Sequence, residues 1–381
     1  MSPSAVAVYV HVPFCPSKCG YCDFNSFAMS GEIVQRTVDS TVAEIARSPW
    51  RGRPAKTIFF GGGTPTFLSG KQLTSILKAV AEAHPPIERS EITSEANPGT
   101  VDAEKFHAVR EAGFNRLSLG AQSFNNSELL QLGRIHCADE VARAVGTARA
   151  AGFTNINLDL MFALPGQSER GWRSNLETAI ALQPEHLSLY CLTIEPNTRY
   201  YRYERRGMLD LPDDEAQVKM YDLACEMAAQ AGYAQYEISN FAKPDRQCGH
   251  NLCYWRGEEY LAYGPGAVGC YETAEGTRKR YTVVKHPRAY CEAVEAGAET
   301  WCETEDLDQD TLAFERLMLG LRLNEGVRKQ GLRLDQNGIE NVIRRGWLEE
   351  RSDRFALTKA GRHFCSEAVT RIAAVSVENP L

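Results

Sequence analysis

The sequence has no excess of positive charge and no long apolar run behind a basic N-terminal segment. Its 381 residues include 42 lysines and arginines against 49 aspartates and glutamates, a formal net charge of -7. This balance argues against nucleic acid as the main partner. Residues 1–12 do not have the pattern of a secretory signal or a membrane span. We therefore expect a cytoplasmic protein that contacts membranes at most peripherally.

Several familiar cofactor motifs are also missing. There is no C-x-x-C-H sequence for covalent heme attachment, and no Gly-Lys-Ser/Thr continues the glycine-rich segment into a phosphate-binding loop. In a reducing compartment the 12 cysteines are expected to be thiols rather than a disulfide framework. Most of the scattered ones are then best explained as small buried apolar residues.

Three cysteines stand out because they are close together near the N-terminus. Cys15, Cys19 and Cys22 have the spacing C-x3-C-x2-C, and the aromatic Tyr21 precedes the third. Three thiolates in one loop can bind three irons of a cubane [4Fe–4S] cluster. The fourth iron then has no protein ligand, so a substrate or cofactor can coordinate it.

A structural zinc site is the alternative for these thiols. Zinc in such sites takes four ligands, usually in two pairs. No second pair stands at zinc-finger spacing, although Cys248 and Cys253 are loosely placed candidates. The spacing therefore favours the iron–sulfur cluster.

Apolar strand-like runs alternate with helical patterns through the first half of the chain, which predicts a parallel sheet built from βαβ units. Six such units fit an incomplete (β/α)6 barrel of the TIM type. An open doubly wound sheet is the alternative that periodicity alone does not exclude. The predicted strands are residues 6–12, 57–60, 91–96, 116–120, 155–162 and 186–193. The predicted helices are residues 34–46, 71–83, 103–112, 139–151, 171–182 and 215–231.

Polar and glycine-rich groups follow the carboxyl ends of these strands, the edge that carries the active site in such folds. Residues 61–66 form a glycine-rich segment in which the backbone can approach a ligand, although a tight turn is equally consistent with it. Glu95, Gln122, Arg134 and Asp159 lie within or after consecutive strand ends. Taken singly, each is more simply explained as a solvated or structural polar residue.

Together, the cysteine spacing and the segment Gly-Gly-Gly-Thr-Pro-Thr resemble the signature of the radical S-adenosylmethionine (SAM) superfamily. The resemblance implies that the amino and carboxylate groups of SAM chelate the open iron. One electron from the cluster then cleaves SAM into methionine and a 5′-deoxyadenosyl radical, chemistry that belongs to the cofactors. Tyr21 is expected to stack on adenine and Arg134 to pair with the SAM carboxylate. The residues implied to bind SAM are Tyr9, Tyr21, Gly62, Gly63, Thr64, Glu95, Gln122, Arg134 and Asp159.

Over nearly its whole length the chain resembles the oxygen-independent coproporphyrinogen oxidase family, which contains HemN-type dehydrogenases and HemW-type heme chaperones. Phe24 stands where the dehydrogenase branch has a fourth cysteine. Residues 250–255 match the H-N-x-x-Y-W motif that the chaperone branch associates with heme. Imidazole is a standard axial ligand of heme iron, and Tyr260 and Tyr263 could add flat apolar faces. The residues implied to contact heme are His250, Asn251, Tyr254 and Trp255.

The resemblance therefore predicts a heme chaperone that carries a [4Fe–4S] cluster, SAM and heme, and delivers heme to acceptor hemoproteins such as respiratory cytochromes. It leaves open whether SAM is cleaved, and it implies that cluster binding favours a homodimer. A coproporphyrinogen III dehydrogenase, which removes hydrogen and carbon dioxide from propionate side chains, is the enzymatic alternative. A structural histidine beside core aromatics is the alternative for His250, and His11 has no assigned role.

We predict three domains: the barrel over residues 1–235, an extension with the motif over residues 236–304, and a C-terminal domain over residues 305–381. A strand is expected at residues 236–241. Helices at residues 312–321 and 337–345, a short hairpin and a final helix resemble a winged-helix module. Few basic residues cluster there, so we interpret the module as a packing or cover domain rather than a DNA-binding domain.

Overall fold

The structure, a computed structural model, describes residues 4–374. Six parallel strands form the centre of the molecule, and helices connect each strand to the next. The strands are β1 Val6–Val12, β2 Ala55–Gly62, β3 Pro86–Ala96, β4 Arg116–Gln122, β5 Ile156–Phe162 and β6 His186–Cys191. The helices of this part are α1 Glu32–Ala46, α2 Gly70–Ala83, α3 Ala103–Ala112, α4 Asn126–Leu132, α5 Ala138–Ala150, α6 Glu169–Ala181, α7 Arg199–Glu204 and α8 Asp214–Gln230.

The spatial order of the six strands distinguishes between the two predicted architectures. Strands β1 to β6 lie side by side in the order of the chain, without the reversal that defines a doubly wound sheet. Because crossovers between parallel strands are right-handed, a uniform order puts all connecting helices on one face of the sheet. The prediction of a partial (β/α)6 barrel is therefore confirmed.

The side chains of the strands alternate between the two faces of the sheet. Apolar residues such as Ile58, Leu117 and Leu158 face the helices and belong to the main hydrophobic core. The alternate positions are largely polar and face the barrel interior, where Ser118 Oγ donates to a carboxylate oxygen of Asp159 at 3.0 Å. Strands buried on both faces are normally apolar throughout. The polar inner face therefore indicates that the strands line a cavity inside the barrel.

Further strands extend both edges of this sheet to a total of twelve. β8 pairs antiparallel with β6 at one edge, whereas β9 pairs parallel with β1 at the other and continues into an antiparallel meander. The added elements are β7 Ala234–Gln235, β8 Asn240–Ala242, α9 Gly249–Trp255, β9 Tyr260–Tyr263, β10 Val268–Glu272, β11 Arg278–Val283, α10 Pro287–Glu295 and β12 Trp301–Leu307.

One strand prediction was wrong in its bounds. Most of residues 236–241 connect β7 to β8 rather than forming a single strand. The buried carboxylate of Glu237 accepts hydrogen bonds from the Ser239 backbone and from the Asn240 side chain. These bonds stabilise a local turn between the two short strands.

The C-terminal part has its own three-stranded sheet and its own hydrophobic core, which includes Leu317, Val342 and Phe355. The order of helix, helix, hairpin and final helix follows the prediction. The domain boundaries stay a prediction, and residues 1–3 and 375–381 of the predicted domains lie outside the described residues. No helix within residues 4–374 is both long and apolar enough to cross a bilayer. The elements are α11 Gln309–Gly320, β13 Val327–Arg328, α12 Gln336–Arg344, β14 Leu348–Arg351, β15 Arg354–Leu357 and α13 Cys365–Ile372.

Candidate functional site

A cavity of about 400 Å³ opens at the carboxyl ends of the parallel strands, where the segments that follow them meet. This volume is typical of a pocket for one small organic ligand. Every predicted cluster and SAM residue except Tyr9 lines the cavity. The lining residues among them are Cys15, Cys19, Tyr21, Cys22, Gly62, Gly63, Thr64, Glu95, Gln122, Arg134 and Asp159.

The three cluster cysteines, Cys15, Cys19 and Cys22, are held in the loop that follows β1. The hydroxyl of Thr64 lies 3.4 Å from Cys15 Sγ, and Arg134 Nη1 donates to Cys19 Sγ at 3.6 Å. Burial raises the pKa of the Cys22 thiol to about 11, so binding of a metal must displace thiol protons.

The donor set fits an iron–sulfur cluster better than a single zinc ion. Three thiols line one cavity, and the Nε of Arg134 is buried beside them without a hydrogen-bond partner. Within residues 4–374, no three or more His, Cys, Asp or Glu side chains are arranged to bind one common metal ion. Cys248 and Cys253, the candidate second zinc pair, do not line the cavity and hydrogen bond to Glu91 and Gly249 instead.

The glycine-rich segment at the end of β2 forms one wall of the cavity through Gly62, Gly63 and Thr64, and its glycines allow close packing behind the wall. A Cβ on Gly62 would lie 2.5 Å from the ring of His11, and this residue has a φ of 108°. A Cβ on Gly63 would lie 2.6 Å from the Phe14 carbonyl oxygen. The glycines therefore let the backbone pack directly against His11 and Phe14, and the role of the segment in binding a ligand stays a prediction.

His11, which had no role in the prediction, supports this wall from below. Its Nε2 donates to the Asn25 carbonyl oxygen at 2.9 Å, so Nδ1 accepts from the Tyr9 hydroxyl at 3.0 Å. Tyr9 is therefore oriented toward His11, not toward the cavity. It lies two residues before His11 on the same strand face and does not line the cavity. It is nevertheless close to Glu95, because a Cβ on Gly61 would lie 3.1 Å from the Tyr9 ring and 3.2 Å from a carboxylate oxygen of Glu95.

Two carboxyl groups form the floor of the cavity. The pKa of Glu95 is raised to about 8, first by burial and then by the nearby charge of Asp159. Burial also raises the pKa of Asp159, although hydrogen bonds from Asn157 and Ser118 oppose the shift. Glu95 accepts a hydrogen bond from the Gly62 backbone at 3.2 Å, which connects the floor to the glycine wall.

A buried hydrogen-bonded chain runs from this floor to the start of α9. The Cys248 backbone N–H donates to the Tyr236 hydroxyl at 3.3 Å, and that hydroxyl lies 2.8 Å from His186 Nε2. Nδ1 of His186 donates to Asn157 Oδ1 at 2.6 Å, and Asn157 Nδ2 donates to Asp159 at 2.8 Å. Because an amide oxygen only accepts, Nδ1 carries the proton and the Tyr236 hydroxyl donates to Nε2. Every donor in the chain thus points toward Asp159.

A buried arginine compensates the negative charge in the same region. Arg116 is 2% exposed, its Nε has no hydrogen-bond partner, and it lies 3.9 Å from a carboxylate oxygen of Glu91. Glu91 in turn accepts from the backbone N–H groups of Gly249 and His250 at 3.1 and 3.2 Å, at the N-terminus of α9. The sequence prediction missed Arg116. Its position in β4, on the same strand face as the inward-facing Ser118, could have identified it.

The predicted heme residues lie on and around α9, away from the cavity. His250 is 1% exposed, and its two ring nitrogens lie 2.8 Å from the Thr57 hydroxyl and 3.0 Å from the Tyr254 hydroxyl. Burial lowers the pKa of His250 to about 3, so the ring is neutral. Its ring also stacks on Phe59. Coordination of heme iron would require His250 to release one of these partners, and the heme role stays a prediction.

The other motif residues have separate environments. Asn251 is half-buried, and Tyr254 packs edge-on against Tyr260 at 4.7 Å between ring centroids. The guanidinium of Arg322 lies over the Trp255 ring at 4.5 Å, so this tryptophan contacts the C-terminal domain. Tyr263 is not part of this group, because its hydroxyl pairs with Ser48 and His84 at 2.6 Å.

The far wall of the cavity was not predicted. Tyr190, Thr193 and Glu195 line it from the end of β6, and Phe24 and Ile135 line it from loops near its opening. The position of the first three within or after the last predicted strand could have identified them. Ile135 carries no such sequence signal, because apolar residues in loops are common, and Phe24 was noted in the sequence only as the residue in place of a fourth cysteine.

Comparison with known proteins matches both parts of the chain. Residues 9–179 match the radical SAM superfamily, and residues 307–364 match the HemN C-terminal domain. The heme chaperone HemW of Escherichia coli is 39% identical over 373 residues, which cover 94% of this chain and 96% of that protein. The HemW proteins of Haemophilus influenzae and Bacillus subtilis are 38% and 36% identical over 95% and 93% of this chain, and the matches cover 96% of each of them.

A solved structure shares the complete fold. The coproporphyrinogen III oxidase HemN from Escherichia coli aligns with a TM-score of 0.82, over 97% of this chain and 90% of that chain. The two sequences are 22% identical in this alignment, so the likeness concerns the fold alone.

Proposed function

Because the chain belongs to the HemW family of heme chaperones within the radical SAM superfamily, we propose that it binds heme and delivers it to acceptor hemoproteins such as respiratory cytochromes. The observation that supports this proposal most strongly is the convergence of the three cluster cysteines, the glycine wall and the two floor carboxyls on one cavity. The radical SAM family implies a [4Fe–4S] cluster and SAM, and the residues present fit both.

The roles of the residues follow from their chemistry. The cluster cysteines bind the iron–sulfur cluster, which supplies one electron and an open iron when it is bound. Gly62 and Gly63 offer backbone groups to the polar end of SAM, and Tyr21 offers an aromatic face. Glu95 and Asp159 accept hydrogen bonds from hydroxyl or ammonium groups. Gln122, Thr64 and Arg134 complete the proposed SAM set, whereas Tyr9 acts through His11.

We keep His250, Asn251, Tyr254 and Trp255 as the proposed heme-handling motif. Since His250 is fully paired inside the protein, axial ligation by this residue requires α9 to move away from β2. We further propose that the protein acts in the cytoplasm, associates with membranes at most peripherally, and forms a homodimer when it carries the cluster. The C-terminal domain is proposed to cover and pack rather than to bind DNA.

The experiment that tests the proposal is a heme titration of anaerobically reconstituted protein in the presence of SAM. The heme-loaded protein is then mixed with an apo-cytochrome, and the spectrum of the acceptor is followed. We expect saturable heme binding and transfer that is faster than from free heme or from heme-loaded albumin. Absence of saturable binding, or transfer no faster than from albumin, would overturn the chaperone function.

The enzymatic alternative is tested on the same preparation. Coproporphyrinogen III is incubated anaerobically with the protein, SAM and a reductant, and protoporphyrinogen is measured. We expect no turnover. Steady conversion would replace the chaperone proposal with a dehydrogenase function.

A further inference from the structure

The turn after β7 carries a tyrosine that reaches into the barrel. The hydroxyl of Tyr236 accepts from the Cys248 backbone N–H at 3.3 Å, and its own proton is directed to His186 Nε2 at 2.8 Å. The phenol therefore connects the start of α9 to β6.

Tyr236 determines which nitrogen of His186 carries the proton. The ring is fully buried, and burial together with the charge of Arg116 lowers the pKa of His186 well below its ordinary value, so the ring is neutral. A neutral imidazole has one N–H and one bare nitrogen. Because the phenol donates to Nε2, the N–H is at Nδ1 and donates to Asn157 Oδ1 at 2.6 Å. Without the phenol, Nε2 has no donor, and the form with the proton on Nε2 competes.

The proton on His186 in turn sets the direction of the Asn157 amide. The amide oxygen accepts from His186 Nδ1 and from the Ser188 hydroxyl at 3.1 Å. The amide nitrogen donates to the Ser118 hydroxyl at 2.7 Å and to Asp159 at 2.8 Å. With the proton on Nε2, Nδ1 would be an acceptor, and the amide would have to turn over to donate to it. The amide oxygen would then face the Asp159 carboxylate, which repels it.

Asp159 needs these donors in order to act as an acceptor itself. It lines the floor of the cavity, and burial raises its pKa, whereas the hydrogen bonds from Asn157 and Ser118 oppose the shift. Loss of the Asn157 donor would favour the protonated carboxyl, which accepts fewer hydrogen bonds from a ligand. The direction of the Asn157 amide therefore controls how well Asp159 can accept from SAM.

The C-terminal domain holds the turn that carries Tyr236. The Asn324 backbone N–H donates to the Tyr236 carbonyl oxygen at 2.9 Å, and the Asn324 side chain donates to the Gln235 carbonyl oxygen. Arg322 Nη2 lies 3.3 Å from a carboxylate oxygen of Glu237, which is fully buried. Since these contacts hold the residues on both sides of Tyr236, the position of the phenol depends on a separate part of the chain.

We propose that Tyr236 is a positioning residue of the SAM site and that the C-terminal domain holds it in place. Tyr236 acts through His186 and Asn157 and does not itself line the cavity. The inference rests on the proposed function, because it assumes that SAM binds above Asp159. It gives the C-terminal domain a role in cofactor binding in addition to covering and packing.

The first test is a calorimetric SAM titration of the anaerobically reconstituted full chain. Tyr236→Phe removes only the hydroxyl, and we expect it to weaken SAM binding by about tenfold. Tyr233→Phe is the matched control, because Tyr233 and Tyr236 are 2% and 5% exposed and the Tyr233 hydroxyl donates to the Pro184 carbonyl oxygen instead. This control should bind SAM as the wild type does. Equal affinity of Tyr236→Phe and the wild type would overturn the inference.

A double variant tests whether Tyr236 acts through Asn157. Effects of independent residues on affinity multiply, whereas effects along one chain of contacts do not. We expect Tyr236→Phe combined with Asn157→Leu to bind SAM no more weakly than Asn157→Leu alone. A multiplied loss would mean that Tyr236 acts by another route and would overturn the assignment.

The proton on His186 gives a readout that a general loss of stability would not change. Nitrogen NMR is recorded on SAM-free protein with isotopically labelled histidine, and the His186 signals are identified by their absence in His186→Gln. The wild type and Tyr233→Phe should show the proton on Nδ1, and in Tyr236→Phe the form with the proton on Nε2 should appear. A ring that keeps its proton on Nδ1 in Tyr236→Phe would contradict the proposal.

The role of the C-terminal domain is tested by two variants at its contacts with the barrel. Arg322→Gln leaves Glu237 buried without its cation and should weaken SAM binding by about threefold or more. Asp222→Asn is the control, because Asp222 lies 3.3 Å from His363 Nε2, a contact that does not involve Tyr236 or its neighbours. Its SAM affinity should be unchanged. Equal losses in both variants, or no loss in Arg322→Gln, would overturn this part of the inference.

Folding and the proposed function are monitored separately. Circular dichroism and iron–sulfur absorbance should be the same in all variants, and the Tyr236 variant tests the proposal even if Arg322→Gln does not fold. If the wild type itself does not bind SAM, the proposed SAM site fails, and the inference fails with it. If only the variants behave unlike the expectation, the inference fails and the SAM site stands.

Discussion

The carboxyl of Glu95 at the floor of the cavity should make the protein less stable as the pH rises, and replacing it with glutamine should remove this effect. The folded-state pKa is about 8, compared with an ordinary value of 4.5. The folded protein therefore holds a proton that the unfolded chain releases, so the free energy of unfolding falls between these two values as the pH increases. Glu95→Gln keeps the shape of the neutral acid and cannot ionise.

The size of the effect follows from the shift. The full difference in pKa corresponds to at most about 5 kcal/mol. Glu95 is only half-buried because it opens onto the cavity, so water screens a large part of this cost. We expect Glu95→Gln to stabilise SAM-free protein by about 2 kcal/mol more at pH 8 than at pH 5. The same variant should bind SAM more weakly, because glutamine cannot ionise to pair with the ammonium group of SAM.

The assay is urea unfolding of SAM-free protein at the two pH values, monitored by circular dichroism. Glu195→Gln is the control, since this residue lines the same cavity away from the floor. The stability changes of the two variants are then compared at each pH. The argument about the floor carboxyls would be refuted if Glu95→Gln changed stability equally at both pH values, or lowered it at pH 8.

Three further predictions concern the cluster, the buried chain and the motif. Replacing all three cluster cysteines with alanine should abolish the broad iron–sulfur absorbance of reconstituted protein, and persistent absorbance would mean other ligands. Asn157→Leu removes a donor to Asp159 and should weaken SAM binding by about tenfold in calorimetric titration. Asn251→Leu, which lies outside the buried hydrogen-bonded chain, should leave SAM affinity unchanged. Equal SAM affinities of the two variants would show that this hydrogen-bonded chain does not affect SAM binding. His250→Ala leaves a cavity and removes the partner of the Thr57 and Tyr254 hydroxyls. It should lower the free energy of unfolding, measured by urea denaturation, by about 2–3 kcal/mol. A loss under about 0.5 kcal/mol would contradict the tight packing of His250.

The fold and the family could be predicted from local patterns. Alternating strands and helices predicted the barrel, and the strand order confirmed it. Most of the proposed SAM residues could be predicted to lie together because they follow strand ends, which parallel topology brings to one edge. The match to HemW proteins confirmed the family.

What the sequence could not provide was the depth of each side chain in the barrel. Tyr9 and His11 lie on the same face of β1, and only the packing of His11 against Gly62 shows that Tyr9 lies beneath the wall. The environment of His250 depends on Thr57, which is 193 residues away in the chain. No local pattern contains such a contact. The same holds for Arg116, whose partner Glu91 is on a neighbouring strand.

The central claim is that the three cysteines hold a cluster with one iron free to bind SAM. The most direct measurement is Mössbauer spectroscopy of anaerobically reconstituted protein with and without SAM, together with iron, sulfide and zinc analysis. We predict four irons and four sulfides per chain, with the signal of one iron changing when SAM is added. Zinc without sulfide, or four equivalent irons that do not respond to SAM, would contradict the account.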